Sequence, residues 1–261
     1  MSRDRALRGC IAAATGLAIA FAPVAGTALA APVTATEFDR SLHLTGVQNG
    51  RDVGGYRTTD GHTVRTGLVY RTGQLNNATP EDLAALGDVR VVEDLRTVYE
   101  RTIAPDRVPA GALERWVDVI GQAPPQTMAT TLTGGDDLYR AFITAPGADI
   151  AFATVLRDIL DTREGAVLFH CTAGKDRTGW TAAVLLTLLG VDRDTVTQDY
   201  LLSNVYRGAT EGDGLNGVQQ SWLDGAFDQV DQSYGSFDNY VRDGLGFSAD
   251  DVAALKAKLL S

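Results

Sequence analysis

The stretch from Ala166 to Leu189 constrains the fold more than any other part of the chain. Ala166 to Phe169 is a short apolar run that reads as a strand. It leads directly into His170 to Gly179, HCTAGKDRTG, and Asp176 to Leu189 then reads as a helix that is apolar almost all round. A helix without a polar face is buried in the middle of a domain, and at this length it cannot span a membrane. The unit is therefore strand, loop and buried helix. In open α/β sheets ligands bind outside the C-terminal ends of strands, where helix N-termini point.

The residues between strand and helix suit a phosphate dianion. The turn from Thr172 to Asp176 can aim successive backbone N–H groups inward as an anion nest, and the following helix adds its positive end. Ala173 and Gly174 keep side chains out of the way, and Gly174 can take positive φ. Thr172, Ala173, Gly174, Lys175 and Thr178 are the candidate substrate-binding residues. Arg177, six positions after Cys171, supplies a planar fork that binds two phosphate oxygens at once. The same positive field lowers the pKa of Cys171 and populates the thiolate, the species that attacks. Thr178 can donate its hydroxyl to that thiolate. His170 either orders the loop backbone and supports the low thiol pKa or is a satisfied structural histidine; the donor inventory allows both.

Such chemistry needs a second group, to protonate the leaving oxygen and then to activate water. Asp176, inside the loop, is the first choice, Asp118 the competitor, and Asp136 and Asp137 after two glycines the third.

Elsewhere strands and helices alternate, which argues α/β layering with a sheet covered by helices. Thr59-Asp60-Gly61-His62 is a turn signal between Tyr56-Arg57 and the run from Val64 to Tyr70, so a hairpin is expected. Thr79-Pro80-Glu81-Asp82 is a helix start, with an end near Gly87. Val89 to Leu95 and Arg115 to Ile120 read as strands. Asp137 to Thr144, Asp149 to Arg163 and Val196 to Val205 read as helices, and Ser248 caps a last one. Arg207 to Asn216, rich in glycine and acids, reads as an exposed loop.

The first thirty residues differ from the rest. Arg3, Arg5 and Arg8 precede an apolar, alanine-rich stretch from Cys10 to Ala22, and Ala28-Leu29-Ala30 offers a small-x-small cleavage site. Residues 1–30 are expected to be a secretory signal peptide, with no stable membrane anchor after cleavage and a secreted, extracellular product. Residues 31–261 are expected to form a single catalytic domain. Removing residues 1–30 takes away three basic residues and one acid, which moves the formal charge from −10 to −12. That surface argues against nucleic acid as a partner, so any phosphate site must be built locally from donors. Cys171 is then the only thiol, and no internal disulfide can form. His43, His62 and His170 form no ligand-spaced cluster, so no metal or other cofactor is expected.

HCTAGKDRTG resembles the signature of the cysteine-dependent protein tyrosine phosphatase superfamily, and its Ala-Gly-Lys-Asp-Arg-Thr-Gly form is similar to a bacterial tyrosine phosphatase family. Asn49 to Gly55 (NGRDVGG), Gly67 to Arg71 (GLVYR), Val91 to Arg96 (VVEDLR) and Asp199 to Asn204 (DYLLSN) resemble further elements of that family. Gly50 stands where the family usually has an aromatic. The resemblance implies a central mixed, largely parallel sheet flanked by helices. It implies Cys171 as nucleophile, Arg177 as phosphate binder and Asp176 as in-loop general acid. It places Asp94 beside the loop, to orient Arg177 or assist proton transfer. Trp116-Val117-Asp118 is similar to the acid loop of many tyrosine phosphatases, and Lys175 matches a lysine associated with broader substrates, including phosphoinositides. Relatives carry a helical lid, for which residues 205–240 are the candidate.

The expected function is an exported phosphatase that hydrolyses phosphotyrosine, with dual specificity open, through a phospho-cysteine intermediate. Its partner is then a phosphoprotein or phosphoinositide substrate. The alternatives are a phosphoinositide phosphatase on the same loop and a rhodanese-like sulfur transferase.

Overall fold

A five-stranded sheet positions everything that follows. Its strands are β1 (Arg51–Asp52), β2 (Val69–Thr72), β3 (Val89–Asp94), β4 (Leu113–Trp116) and β5 (Ala166–His170). Their order is β1-β2-β5-β3-β4, with β1 antiparallel to β2 and every other pair parallel. The computed structural model describes residues 40–130, 134–210 and 212–261. The leader read over residues 1–30, with Cys10, lies outside the described residues.

The sheet is mixed and largely parallel, as the family resemblance implies, and β5 lies at its centre. All five residues of β5 are buried, which is why the strand is an unbroken apolar run rather than an alternating one. Its side chains still divide by the period of two. Val167 and Phe169 enter the larger core, while Ala166 and Leu168 face a smaller one with Leu75, Leu86 and Val92. Thr72, His170, Asp94 and Trp116 lie level across the four parallel strands. The C-terminal edge of the sheet is therefore one platform, and the loop at Cys171 leaves from its middle.

Helices cover both faces. α1 (Pro80–Ala85) starts on a capping box in which Thr79 and Asp82 satisfy each other's backbone N–H groups. α2 (Val98–Ile103) begins directly after β3 and has the same kind of box, Thr97 with Glu100. α3 (Pro125–Ala129), α4 (Asp136–Thr144) and α5 (Ala148–Asp161) follow β4. α6 (Arg177–Leu189) is buried along almost its whole length and ends on Gly190 in the left-handed conformation. α7 (Arg193–Tyr206) and α8 (Gln220–Tyr234) follow, then a short turn of helix, α9 (Phe237–Asn239), which widens into a π-turn at Tyr240–Gly244. α10 (Ala249–Leu259) closes the chain. Among the described residues no helix is long and apolar enough to cross a membrane.

Two segments differ from the sequence reading. The expected hairpin forms but is short: Arg57 bridges Thr63, Thr58 N donates to His62 O, and Val64 exchanges backbone bonds with Tyr56 and Gly55, while the other edge of Thr63 and Val64 pairs with Ser261 and Leu260. The strand expected over Arg115 to Ile120 lies earlier, at Leu113–Trp116. It stops there because the Asp118 carboxylate accepts the N–H groups of Ile120 (3.2 Å) and Gly121 (2.7 Å) and turns the chain. Of residues 205–240, α8 is part of the core: Trp222, Leu223, Ala226, Phe227 and Val230 are buried. At Gly50, Leu44 fills the space, and a Cβ there would lie 3.2 Å from its Cδ1.

Candidate active site

The loop from Cys171 to Asp176 is held from outside by its carbonyls. The backbone N–H of Gln74 donates to Thr172 O (3.1 Å). Asn49 Nδ2 and Arg71 Nη2 donate to Gly174 O at 2.7 and 3.0 Å, and Arg207 Nη1 to Ala173 O at 3.3 Å. With its carbonyls turned outward, the loop presents its amides to the concave side, as an anion nest requires. Gly174 has φ +66, and a Cβ there would sit 2.5 Å from Thr72 O, so only glycine fits.

Three of the four segments quoted beside the loop meet behind it. Asp199 on α7 accepts Arg51 Nε (3.2 Å), Arg71 Nη1 (2.7 Å) and the Tyr56 hydroxyl (2.9 Å). Arg51 in turn donates to the Asn49 side chain. Two chains of hydrogen bonds, through Arg51–Asn49 and through Arg71, thus run from Asp199 to the same carbonyl, that of Gly174. The cluster of guanidinium groups holds the Asp199 carboxyl well below the usual range against the opposing effect of burial. A buried charge is tolerable only with such partners.

Cys171 is buried at the base of the loop. Burial pushes its thiol up, but the Arg177 charge and the Thr178 hydroxyl and N–H outweigh it, so the pKa is lowered. Arg177 is clasped by a residue that the sequence reading did not single out. Glu100 accepts Arg177 Nη1 on Oε2 (2.8 Å) and Nη2 on Oε1 (2.7 Å), and it also accepts the Thr172 hydroxyl. Despite partial burial these donors hold the Glu100 carboxyl far below its ordinary value. The legible signal was Thr97-Val98-Tyr99-Glu100, a capping box placed straight after a strand: Glu100 Oε2 also accepts Thr97 N at 2.8 Å.

Asp94 lies beside the loop but grips Arg96, not Arg177. Its oxygens accept Arg96 Nε (2.9 Å) and Nη2 (2.8 Å). The expected orienting role toward Arg177 therefore belongs to Glu100, because Asp94 is the last residue of β3 and its neighbour across the sheet is His170. His170 Nε2 is 3.1 Å from Asp106 Oδ2 and 4.0 Å from Asp94 Oδ1. Burial would lower the His170 pKa, but Asp106 and Asp94 overcome it and raise it. Arg96 Nη2 stands 2.5 Å from Asp106 and 2.8 Å from Asp94, so these carboxylates and His170 form an ion-pair network around a guanidinium.

Asp176 is buried beside Cys171, at the N-terminus of α6. Its Oδ1 accepts the Tyr139 hydroxyl (3.1 Å), which accepts the Tyr200 hydroxyl (2.7 Å). Lys175 points away from the centre of the loop. Its Nζ donates to Gly217 O (2.9 Å) and Gly214 O (3.3 Å), lies 3.2 Å from Asp176 Oδ2, and sits over the Trp222 ring. Asp118 is half-buried in its turn, and burial raises its pKa against the pull of Arg101 and Arg177. Asp136 and Asp137 are exposed in the first turn of α4.

The chain matches the model of the tyrosine phosphatase family over residues 42–261. It is 32% identical, over 82% of its own length and 86% of the relative's, to a Cupriavidus necator protein named as a tyrosine-protein phosphatase. It is 29% identical to the triple specificity protein phosphatase PtpB of Mycobacterium tuberculosis, over 83% of this chain and 98% of that one. A tyrosine-protein phosphatase of Nostoc commune is 30% identical over 72% of this chain and 71% of its own.

Proposed function

Because the chain belongs to the tyrosine phosphatase family, we propose that it hydrolyses phosphotyrosine through a phospho-cysteine intermediate on Cys171. The observation that carries this reading is the Cys171 thiol, lowered in pKa next to an Arg177 fork that Glu100 fixes through both prongs. A guanidinium so held binds phosphate without first losing its own side-chain freedom.

In the first step the Cys171 thiolate attacks phosphorus, an Sγ–P bond forms, and the P–O bond to the leaving group breaks. The leaving oxygen takes the electron pair and a proton from Asp176. In the second step water attacks the phospho-cysteine, gives its proton to Asp176 and releases the thiolate, to which Thr178 donates. The loop amides, the α6 N-terminus and Arg177 stabilise the equatorial oxygens in both.

Phosphoproteins are the substrate class that the family implies. The engagement of Lys175 with Gly214, Gly217 and Asp176 supports phosphotyrosine over a more anionic phosphoinositide head group, since its ammonium is already partnered. Signal-peptide character in residues 1–30 supports export, and N-terminal sequencing of culture-medium protein tests it. Cys171→Ser and Arg177→Ala should each abolish turnover of p-nitrophenyl phosphate. Asp176→Asn should slow phenyl phosphate more than p-nitrophenyl phosphate, whose leaving group needs little protonation. A panel of phosphotyrosine, phosphoserine and phosphoinositide should be dominated by phosphotyrosine. Turnover retained in Cys171→Ser ends the proposal.

A further inference from the structure

We propose that Tyr139 and Tyr200 are positioning residues for Asp176, a pair of aligned hydroxyls that fixes which carboxyl oxygen carries the transferred proton and receives the charge left when it departs. The inference rests on the reading of Asp176 as general acid and extends it.

The two tyrosines come from α4 and α7, outside the catalytic loop, and both are fully buried. A phenol has one proton to give. Tyr200 gives its proton to the Tyr139 oxygen (2.7 Å), and Tyr139 gives its own to Asp176 Oδ1 (3.1 Å), so the chain has a direction and ends on the carboxyl group. An oxygen that already accepts a phenol proton is the poorer place for a second one. The Asp176 proton is thereby directed to Oδ2. Lys175 Nζ lies 3.4 Å from Oδ1 and 3.2 Å from Oδ2, so it adds positive charge without choosing between them.

Burial, with the Asp176 charge, holds both phenols well above their ordinary pKa, so they act as fixed donors rather than as acids. As Asp176 hands its proton to the leaving oxygen, negative charge appears on the carboxylate, and Tyr139 is already aimed at it. A donor preset for charge that develops only at the transition state lowers the barrier without needing to reorganise.

The surroundings hold this alignment. The Tyr139 ring packs against Trp222 of α8 at 6.0 Å and edge-on to Tyr200 at 5.9 Å. At the entrance to α4, a Cβ on Gly134 would lie 3.5 Å from Asp176 Oδ1 and 2.9 Å from the Trp222 ring. The helix start is thus pressed against the carboxyl that its tyrosine serves.

The test is a leaving-group series, from p-nitrophenyl phosphate to phenyl phosphate, on Tyr139→Phe, Tyr200→Phe and Asp176→Asn. Losing a hydrogen bond to a charged group should cut kcat for phenyl phosphate by about 10- to 100-fold in Tyr139→Phe, and for p-nitrophenyl phosphate by less than about threefold. Tyr200→Phe should show the same pattern more weakly, and it keeps the question answerable if Tyr139→Phe fails to fold. In the Asp176→Asn background Tyr139→Phe should add no further leaving-group dependence. Equal losses on both substrates, or a Tyr139→Phe effect that persists undiminished beside Asp176→Asn, overturn the assignment. An Asp176→Asn enzyme with wild-type leaving-group dependence would remove the acid reading itself, which is a separate failure visible without the tyrosine variants.

Discussion

Glu100→Gln separates two effects that usually move together, thiol activation and phosphate capture. Glu100 Oε2 takes three donors, Arg177 Nη1, Thr97 N and the Thr97 hydroxyl. Oε1 takes Arg177 Nη2 and the Thr172 hydroxyl. A glutamine would keep its carbonyl at the Oε2 position, where it preserves the cap of α2. Its amide nitrogen then faces Arg177 Nη2, donor against donor, and one prong of the fork is released. A hydrogen bond to a charged group contributes about 1.5–3 kcal/mol, so kcat/KM should fall by about 10- to 100-fold. The thiol should respond in the opposite sense. Glu100 offsets part of the Arg177 charge, and its removal leaves Cys171 facing a less compensated guanidinium, so the thiol pKa should fall further. Iodoacetate alkylation as a function of pH reads the thiol, and p-nitrophenyl phosphate kinetics read the capture. A raised thiol pKa, or kcat/KM within about twofold of wild type, would refute the reasoning, because a lost hydrogen bond of this kind is worth more than that.

Two further perturbations follow from the same geometry. Gly174→Ala puts a Cβ 2.5 Å from Thr72 O at φ +66; backbone strain of this kind costs about 1–3 kcal/mol before any clash is counted, so a lower Tm and near-complete loss of turnover are expected, and an active variant with an unchanged Tm would contradict the placement. Glu93 on β3 is fully buried opposite Asp158 of α5, and burial, then Asp158, push its pKa up to about 9. The folded state therefore keeps a proton that the unfolded chain loses above the ordinary glutamate value of 4.5. This group's contribution is complete below that value and is lost as pH rises toward the folded one, at up to about 1.4 kcal/mol per pH unit. Glu93→Gln carries no such proton, so urea unfolding at pH 6 and pH 8 should show a shallower decline with pH in the variant; parallel declines would refute the assignment.

The fold was legible where local signals were strong and self-contained. The apolar β5 run, the all-round apolar α6 and the capping residues at Thr79 and Ser248 each announce an element without reference to anything distant. The misplaced strand at Arg115 to Ile120 shows the limit. An apolar pattern there continues past Trp116, but the Asp118 side chain bonds its own backbone and ends the strand. Pairing of Val64 with Leu260, almost two hundred positions apart in sequence, could not be read from a turn signal at Thr59 to His62.

The site divides along a similar line. Residues inside HCTAGKDRTG are contiguous, so their types and spacing already describe an anion loop. The groups that hold them come from elsewhere: Glu100 from a capping box after β3, Asp106 from the segment after α2, Tyr139 and Tyr200 from two separate helices. Asn49, Arg51, Arg71 and Asp199 stood in quoted segments, yet nothing in those segments says that they converge on the carbonyl of Gly174. Lys175 is the instructive case, because its position in the loop suggested a phosphate donor, whereas its side chain leaves the loop for Gly214, Gly217 and Asp176. Spacing fixes where a backbone atom lies along a loop, and the partner that a long flexible side chain finds depends on what the rest of the fold brings within reach. Short and rigidly placed groups, a thiol or a glycine, are consequently the ones whose roles a sequence discloses, and the direction taken by a lysine depends on the tertiary structure around it.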